Sequence, residues 1–218
     1  MQDPQAFREY AHSFVDWMAD YLEHIDELPV KATVKPGEIL SRIPSSPPMQ
    51  PEGMDRIFQD FKKDIIPGMT HWQSPNFFAY FPANSSFPSL LAEMLTATLG
   101  AQCMVWETSP AAAELEEAMM NWLKQMTGIP EHFHGVIQDT ASSSTLCSIL
   151  TAREKFSEYG INEKGYKGDE KFRVYCSTET HSSIDKAVKI AGLGKDSLVK
   201  IPVDEEFSML TGELEKTI

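Results

Sequence analysis

Gly135-Val136-Ile137-Gln138-Asp139-Thr140-Ala141-Ser142-Ser143-Ser144-Thr145-Leu146-Cys147-Ser148-Ile149-Leu150-Thr151-Ala152-Arg153-Glu154-Lys155 is the stretch on which the fold turns. Residues 136–138 read as a short strand, and the small residues 140–144 as a turn. Leu146, Ile149, Leu150 and Ala152 then recur at helical spacing, which predicts a helix over 143–156. Arg153 and Lys155 stand at its far end, where cations suit the helix dipole. A strand that breaks into hydroxyl-bearing small residues and restarts as a helix aims free backbone N–H groups at one point. Partial positive charge gathers there, so a phosphate is a natural guest. A serine-rich N-cap on an ordinary helix is the plainer alternative, and the local pattern alone leaves both open.

Composition narrows the partners. Among 218 residues, 42% are hydrophobic and 23% charged, as in ordinary globular proteins. The net charge of −13 disfavours nucleic acid, whose phosphates need basic neutralisation, and equally an anionic membrane surface. Cys103, Cys147 and Cys176 are far apart, odd in number and without CxxC spacing, which suits reduced thiols in the cytoplasm. No apolar run approaches membrane-spanning length, and no basic-then-apolar stretch opens the sequence, so no secretory leader is expected. His132 and His134 beside Glu131 lack a third ligand at a standard spacing, so no metal is expected.

Moving outward, Phe7, Ala11, Phe14, Met18, Tyr21, Leu22 and Ile25 form an apolar helical stripe. A proline-rich link follows, and no local partner for the stripe is evident; a second subunit or the chain's own distal part are both open. A second helix is expected over 53–65. Residues 71–87 hold six aromatics and two prolines without helical period, which either pins a loop into the core or lines a pocket for a flat ligand. Helices are expected over 88–99 and from Ser109-Pro110 to Gly128. Strands and helices then alternate: strands at 136–138, 172–176 and 197–201, a helix over 182–191, a polar loop over 162–171, and a last helix capped by Thr211. Such alternation means βαβ units and a mainly parallel sheet, an α/β class. Ligands in such sheets bind beyond the carboxyl ends of the strands. Two of those ends carry polar residues, Thr140-Ala141-Ser142 and Ser177-Thr178-Glu179-Thr180-His181.

At these residues the sequence resembles the group II pyridoxal-phosphate-dependent decarboxylases, in particular the aromatic-L-amino-acid decarboxylases. The matching text is His71-Trp72-Gln73-Ser74-Pro75, Phe77-Phe78-Ala79-Tyr80-Phe81-Pro82, Trp106, Ser109-Pro110, Glu114-Leu115-Glu116, Met120, Trp122-Leu123, Gly135-Val136-Ile137-Gln138, Thr140-Ala141-Ser142 and His181-Ser182-Ser183. It runs in the family's order across nearly the whole chain, which corresponds to the family's N-terminal part. The resemblance implies the PLP-dependent transferase-like fold type I. It implies an N-terminal helical, dimer-wrapping segment over 1–86, and the first part of the cofactor-binding large domain over 87–218. It also implies a cytoplasmic homodimer acting on a small amino acid with pyridoxal 5′-phosphate. Carried over by position, Ala141 and Ser142 hold the cofactor phosphate and His181 lies against the pyridine ring with a catalytic role. Tyr80, Phe81, Pro82, Ala83, Gln102 and Met104 fall on the substrate side. The cofactor's lysine and the aspartate facing its ring nitrogen belong to later motifs of the family, so this stretch alone is expected to be inert.

Three departures bear on the substrate. Ala83 stands where aromatic-specific members commonly have threonine, Met104 where an aromatic is common, and Asp139 where glycine is usual just before the phosphate turn. Decarboxylation of tyrosine, dopa, tryptophan or phenylalanine is the expected activity. Glutamate- or other amino-acid decarboxylases and aldehyde-forming relatives stay open. Outside enzymes, a phosphate-binding α/β regulatory module is the alternative, weakened because neither GxGxxG nor GxxxxGK occurs. A serine hydrolase built on His181 and Asp185 lacks the GxSxG elbow.

Overall fold

The structure, a computed structural model, describes residues 3–82, 85–167 and 171–218. By contacts the chain divides into two units, Met1–Ala101 and Gln102–Ile218. The expected division at 86/87 concerns the domains of a complete enzyme and is a separate matter.

In the first unit, α1 (Pro4–Glu23) starts at Asp3, whose carboxylate accepts the Gln5 N–H at 2.9 Å, with Pro4 in the first turn. The short α2 (Glu38–Arg42) follows the proline-rich link. α3 (Met54–Asp60) does not run on to 65 as an α-helix: it widens into a π turn, Phe61–Ile65, before Pro67. The apolar stripe of α1 does have a local partner, contrary to expectation. Phe14 stacks on Phe58 with ring centroids 4.2 Å apart, and Trp17 meets Phe58 and Phe61 edge-on. Aromatic pairs prefer such offset and edge geometries, and the π turn keeps Phe58 and Phe61 on the side facing α1. α4 (Phe87–Leu99) opens with a reciprocal Ser86/Ser89 capping box and closes on Gly100 in the left-handed region, φ 58°.

In the second unit, α5 (Pro110–Thr127) ends as its sequence suggests: Gly128 takes φ 70° and Ile129 N–H reaches back to Lys124 O. Ser109 occupies the capping position, but its side chain makes no capping bond. α6 (Ala141–Phe156) begins two residues earlier than expected, because Thr140 is the cap: its Oγ1 accepts the Ser143 N–H at 3.2 Å. The short α7 (Gly160–Lys164) takes up the start of the predicted 162–171 loop, whose residues 168–170 lie outside the described residues. β1 (Val174–Ser177), α8 (Ser183–Ile190) and β2 (Leu198–Ile201) form a βαβ unit, the strands parallel with Val174 opposite Leu198 and Ser177 opposite Ile201. Cys176, Ala187, Val188, Ala191 and Ile201 are its buried core, and Lys200 of β2 pairs with Asp185 of α8 at 3.1 Å.

Two predicted features differ. Residues 136–138 form no strand and pair with none among the described residues. An extended run becomes a strand only when a neighbour takes its N–H and C=O groups; here Ile137 N–H instead goes to Glu116 Oε1 at 2.8 Å. Thr211 does not cap α9 (Thr211–Thr217) but is its first residue, after Leu210, whose N–H is held by Pro202 O.

Candidate active site

The segment ahead of α6 is carried by one face of α5. Glu116, Met120 and Lys124, four residues apart, share that face. Lys124 Nζ donates to the carbonyls of Glu131 (3.0 Å) and Phe133 (3.3 Å). Gly135 lies so close to Met120 that an added Cβ would come within 3.1 Å of its sulfur. Glu116 then holds Ile137. These three contacts lead the chain along α5 to Thr140, where α6 starts.

The first turn of α6 is the chemically open point. Ser143 N–H is taken by Thr140 Oγ1 and Ser144 N–H by Thr140 O. Among the described residues Ala141 N–H and Ser142 N–H have no acceptor, as the geometry of a helix start requires. The hydroxyls sort in the same way. Those of Thr145, Ser148 and Thr151 donate to carbonyls four residues back, and Ser143 Oγ lies 3.1 Å from Thr140 Oγ1. The Ser142 side chain is exposed, and its hydroxyl makes no hydrogen bond among the described residues. Two N–H groups and one hydroxyl therefore stand together at the positive end of a 16-residue helix. That donor set fits a phosphate monoester.

Asp139 stands beside this point. Its carboxyl is held below the usual carboxylate range, chiefly by the Ser143 hydroxyl; burial opposes this, and the backbone N–H groups of Thr140 and Asp139 add to the lowering. A negative charge therefore stands next to the proposed phosphate donors at neutral pH. Sequence reading singled out the residue but not its hydroxyl partner.

His181 follows β1 through a turn closed by Thr180 N–H on Ser177 O and by the Ser177 and Thr180 hydroxyls at 3.0 Å. Its ring is exposed, and Nδ1 accepts the Ser183 N–H at 3.2 Å. That bond needs a bare Nδ1, so the neutral ring carries its proton on Nε2, the outward nitrogen. α6 and α8 pack on each other, and Arg153 near the end of α6 donates to Ala191 O, the cap of α8, at 2.7 Å. The two helices therefore run the same way. Climbing α8 from Ala191 to Ser183 covers about 12 Å at 1.5 Å per residue, and the same climb from Arg153 reaches Thr145. His181 stands just before α8, at the end of that helix away from the Arg153 contact.

The other expected residues lie elsewhere. Gln102 and Met104 sit on the exposed loop ahead of α5, Gln102 giving its carbonyl to the Thr108 hydroxyl at 2.6 Å. In the first unit the aromatic loop divides into two roles. His71 and Ser74 are buried, and His71 Nδ1, lying 2.6 Å from the Tyr21 hydroxyl, pins the loop to α1. Phe78, Tyr80 and Phe81 are almost fully exposed, with Tyr80 in the left-handed region at φ 57°, a costly conformation for a bulky residue. Pro82 is half-buried, and Ala83 lies outside the described residues. Among the described residues no group of three potential metal ligands occurs, and no helix is long and apolar enough to cross a membrane.

The chain is similar to known proteins. Residues 36–218 match the pyridoxal-dependent decarboxylase conserved domain. The chain is 42% identical over 224 residues to a phenylacetaldehyde synthase of Petunia hybrida, covering 99% of this chain and 44% of that one. Among solved structures it resembles the Catharanthus roseus tryptophan decarboxylase in complex with L-tryptophan, with a TM-score of 0.90 at 40% identity, over 99% of this chain and 46% of that one. It also resembles the Rhodiola rosea 4-hydroxyphenylacetaldehyde synthase, with a TM-score of 0.90 at 34% identity, covering 100% of this chain and 47% of that one. The chain spans less than half the length of these relatives.

Proposed function

The chain belongs to the pyridoxal-dependent decarboxylase family, and from that premise we propose that it is the N-terminal part of an enzyme that removes carbon dioxide from L-amino acids, aromatic ones foremost. Its cofactor is pyridoxal 5′-phosphate, and the α/β fold is the family's fold type I. The observation that carries the proposal is the set of donors at the start of α6, which have no partner among the described residues and suit a phosphate ester.

When bound, the cofactor supplies an electron-poor ring that takes up the electrons left as carbon dioxide departs. The chain's own residues bind and orient. Ala141 N–H, Ser142 N–H and the Ser142 hydroxyl hold the phosphate, with the α6 dipole favouring its charge. His181 provides a flat face for the pyridine ring, and its Nε2–H is the one proton its surroundings leave available to a ligand. Thr140 and the α5 face fix where those donors point. Tyr80, Phe81, Pro82, Ala83, Gln102 and Met104 are assigned to the substrate side on the match to the family's motif. Homodimer formation and residence in the cytoplasm are part of the same proposal.

Aldehyde formation is the second reading, favoured by the 42% identity to a phenylacetaldehyde synthase. The test uses the complete polypeptide, supplied with pyridoxal 5′-phosphate and given in turn tyrosine, dopa, tryptophan, phenylalanine and glutamate. Release of carbon dioxide from an aromatic substrate, with the amine as product, is expected. An aldehyde product selects the second reading. Carbon dioxide from glutamate alone would overturn the aromatic preference, and none from any substrate would leave a phosphate-binding module.

A further inference from the structure

We propose that the buried Arg153–Glu154 pair is a positioning element for this site, fixing the height of α8, and with it His181, against the phosphate end of α6. The proposal rests on the cofactor reading above and adds to it residues at the opposite end of the two helices.

Glu154 is only 6% exposed and the Arg153 side chain 12%. Buried charges are costly unless paired and hydrogen-bonded, and here both conditions hold. Arg153 Nε and Nη2 both reach Glu154 Oε1, at 2.8 and 2.6 Å. Glu154 Oε2 takes the Asn162 N–H of α7 at 3.0 Å. The remaining guanidinium arm, Nη1, goes to Ala191 O, which also receives the Tyr166 hydroxyl at 3.1 Å, and the Tyr166 ring lies 5.5 Å from the guanidinium. One ion pair thereby joins α6, α7 and the last carbonyl of α8.

The choice of acceptor is what points to positioning. The residues that α8 buries are Ser183, Ala187 and Val188, with its cap Ala191, all small, and dispersion contacts between small side chains resist sliding along the helix axis only weakly. A charge-assisted hydrogen bond onto a backbone carbonyl is directional and fixes axial height. His181 reads that height at the other end of α8 through its own bond to Ser183 N–H. A misplacement of about 1 Å at a reacting centre is enough to cost about a hundredfold in rate.

The test compares, in the complete polypeptide, the wild type with Arg153→Met/Glu154→Leu. This double variant replaces the ion pair by apolar side chains of similar volume, an exchange often neutral for stability. Thermal midpoint, cofactor content after dialysis, circular dichroism of the cofactor's visible band and steady-state kinetics are read together. We expect an unchanged midpoint and cofactor content, an altered dichroic band, and kcat lowered about tenfold or more with little change in KM. Wild-type dichroism and turnover in the double variant would show that the pair merely stabilises the helices, and would overturn the proposal. Should that variant fail to fold, Arg153→Lys decides, since it keeps a cation beside Glu154 but lacks the second guanidinium arm that reaches Ala191 O. A shifted band at unchanged midpoint supports positioning, and a wild-type band overturns it. Failure of the cofactor reading itself shows separately, as undiminished cofactor content in Ser142→Asp.

Discussion

The hydroxyls of Thr145, Ser148 and Thr151 fold back onto the carbonyls of α6, whereas that of Ser142 makes no hydrogen bond among the described residues. In the sequence these residues look alike, because a one-dimensional pattern does not say which hydroxyl faces its own helix. The strand–small-residue–helix pattern suggested a phosphate at this point; the sorting of donors was not legible. His181 is a similar case: its place after a strand was legible, but its bond to Ser183 was not. His181→Phe keeps a flat face, and His181→Asn loses it. Cofactor retention should fall less in the first than in the second, while single-turnover decarboxylation falls about a hundredfold in both. Near wild-type turnover in either variant would make His181 a structural histidine. Asp139, held ionised by Ser143, should oppose the phosphate. Because its folded pKa is depressed, the stability it lends is present above the ordinary carboxylate pKa and is lost as pH falls through the depressed value. At neutral pH Asp139→Asn should therefore tighten binding of pyridoxal 5′-phosphate about fivefold, the scale of one screened charge contact. Equilibrium dialysis should show no such gain for phosphate-free pyridoxal; equal gains would place the effect elsewhere.

Elements were legible where end signals are covalent in character. Pro110 and Gly128 bracket α5, because proline and glycine act on their own backbone. Residues 136–138 show the limit. Their apolar extended pattern is real, but strand pairing is a property of neighbours, and their N–H at Ile137 is held by a helix side chain instead. The π turn at Phe61–Ile65 was equally hidden, since what calls for it is the fit of Phe58 and Phe61 against Trp17. At α6 the cap can be tested alone. Thr140→Ala should lower stability by about 1 kcal/mol, read from a urea titration of the cofactor-free complete polypeptide. An unmoved midpoint would mean that Thr140 does not carry the helix start.

The whole chain exposes 17467 Å², against about 10,000 Å² for a folded monomer of 24.5 kDa and about 12,000 Å² for two separate globules of half that mass. Much of the excess is apolar: Leu115, Trp122, Leu123, Met126 and Phe133 are all exposed. Such a surface suits a part of a larger assembly better than a finished domain. The family was legible because its motifs occur in order along the chain; the partner of the α1 stripe was not, because packing of Phe14 and Trp17 on Phe58 and Phe61 depends on how the chain folds back. Removing residues 1–27 from the complete polypeptide should strip that aromatic cluster and give monomers or aggregates in sedimentation. A truncated, fully active dimer would contradict a role for α1 in assembly. The most direct measurement of the central claim is cofactor content, by visible absorbance after exhaustive dialysis, in the complete wild-type polypeptide and in Ser142→Asp. One cofactor retained per wild-type chain and its loss from Ser142→Asp is the expected result, since a carboxylate in place of the hydroxyl repels a phosphate at the start of α6. Equal retention in both would contradict the placement of the phosphate at the N-terminus of α6.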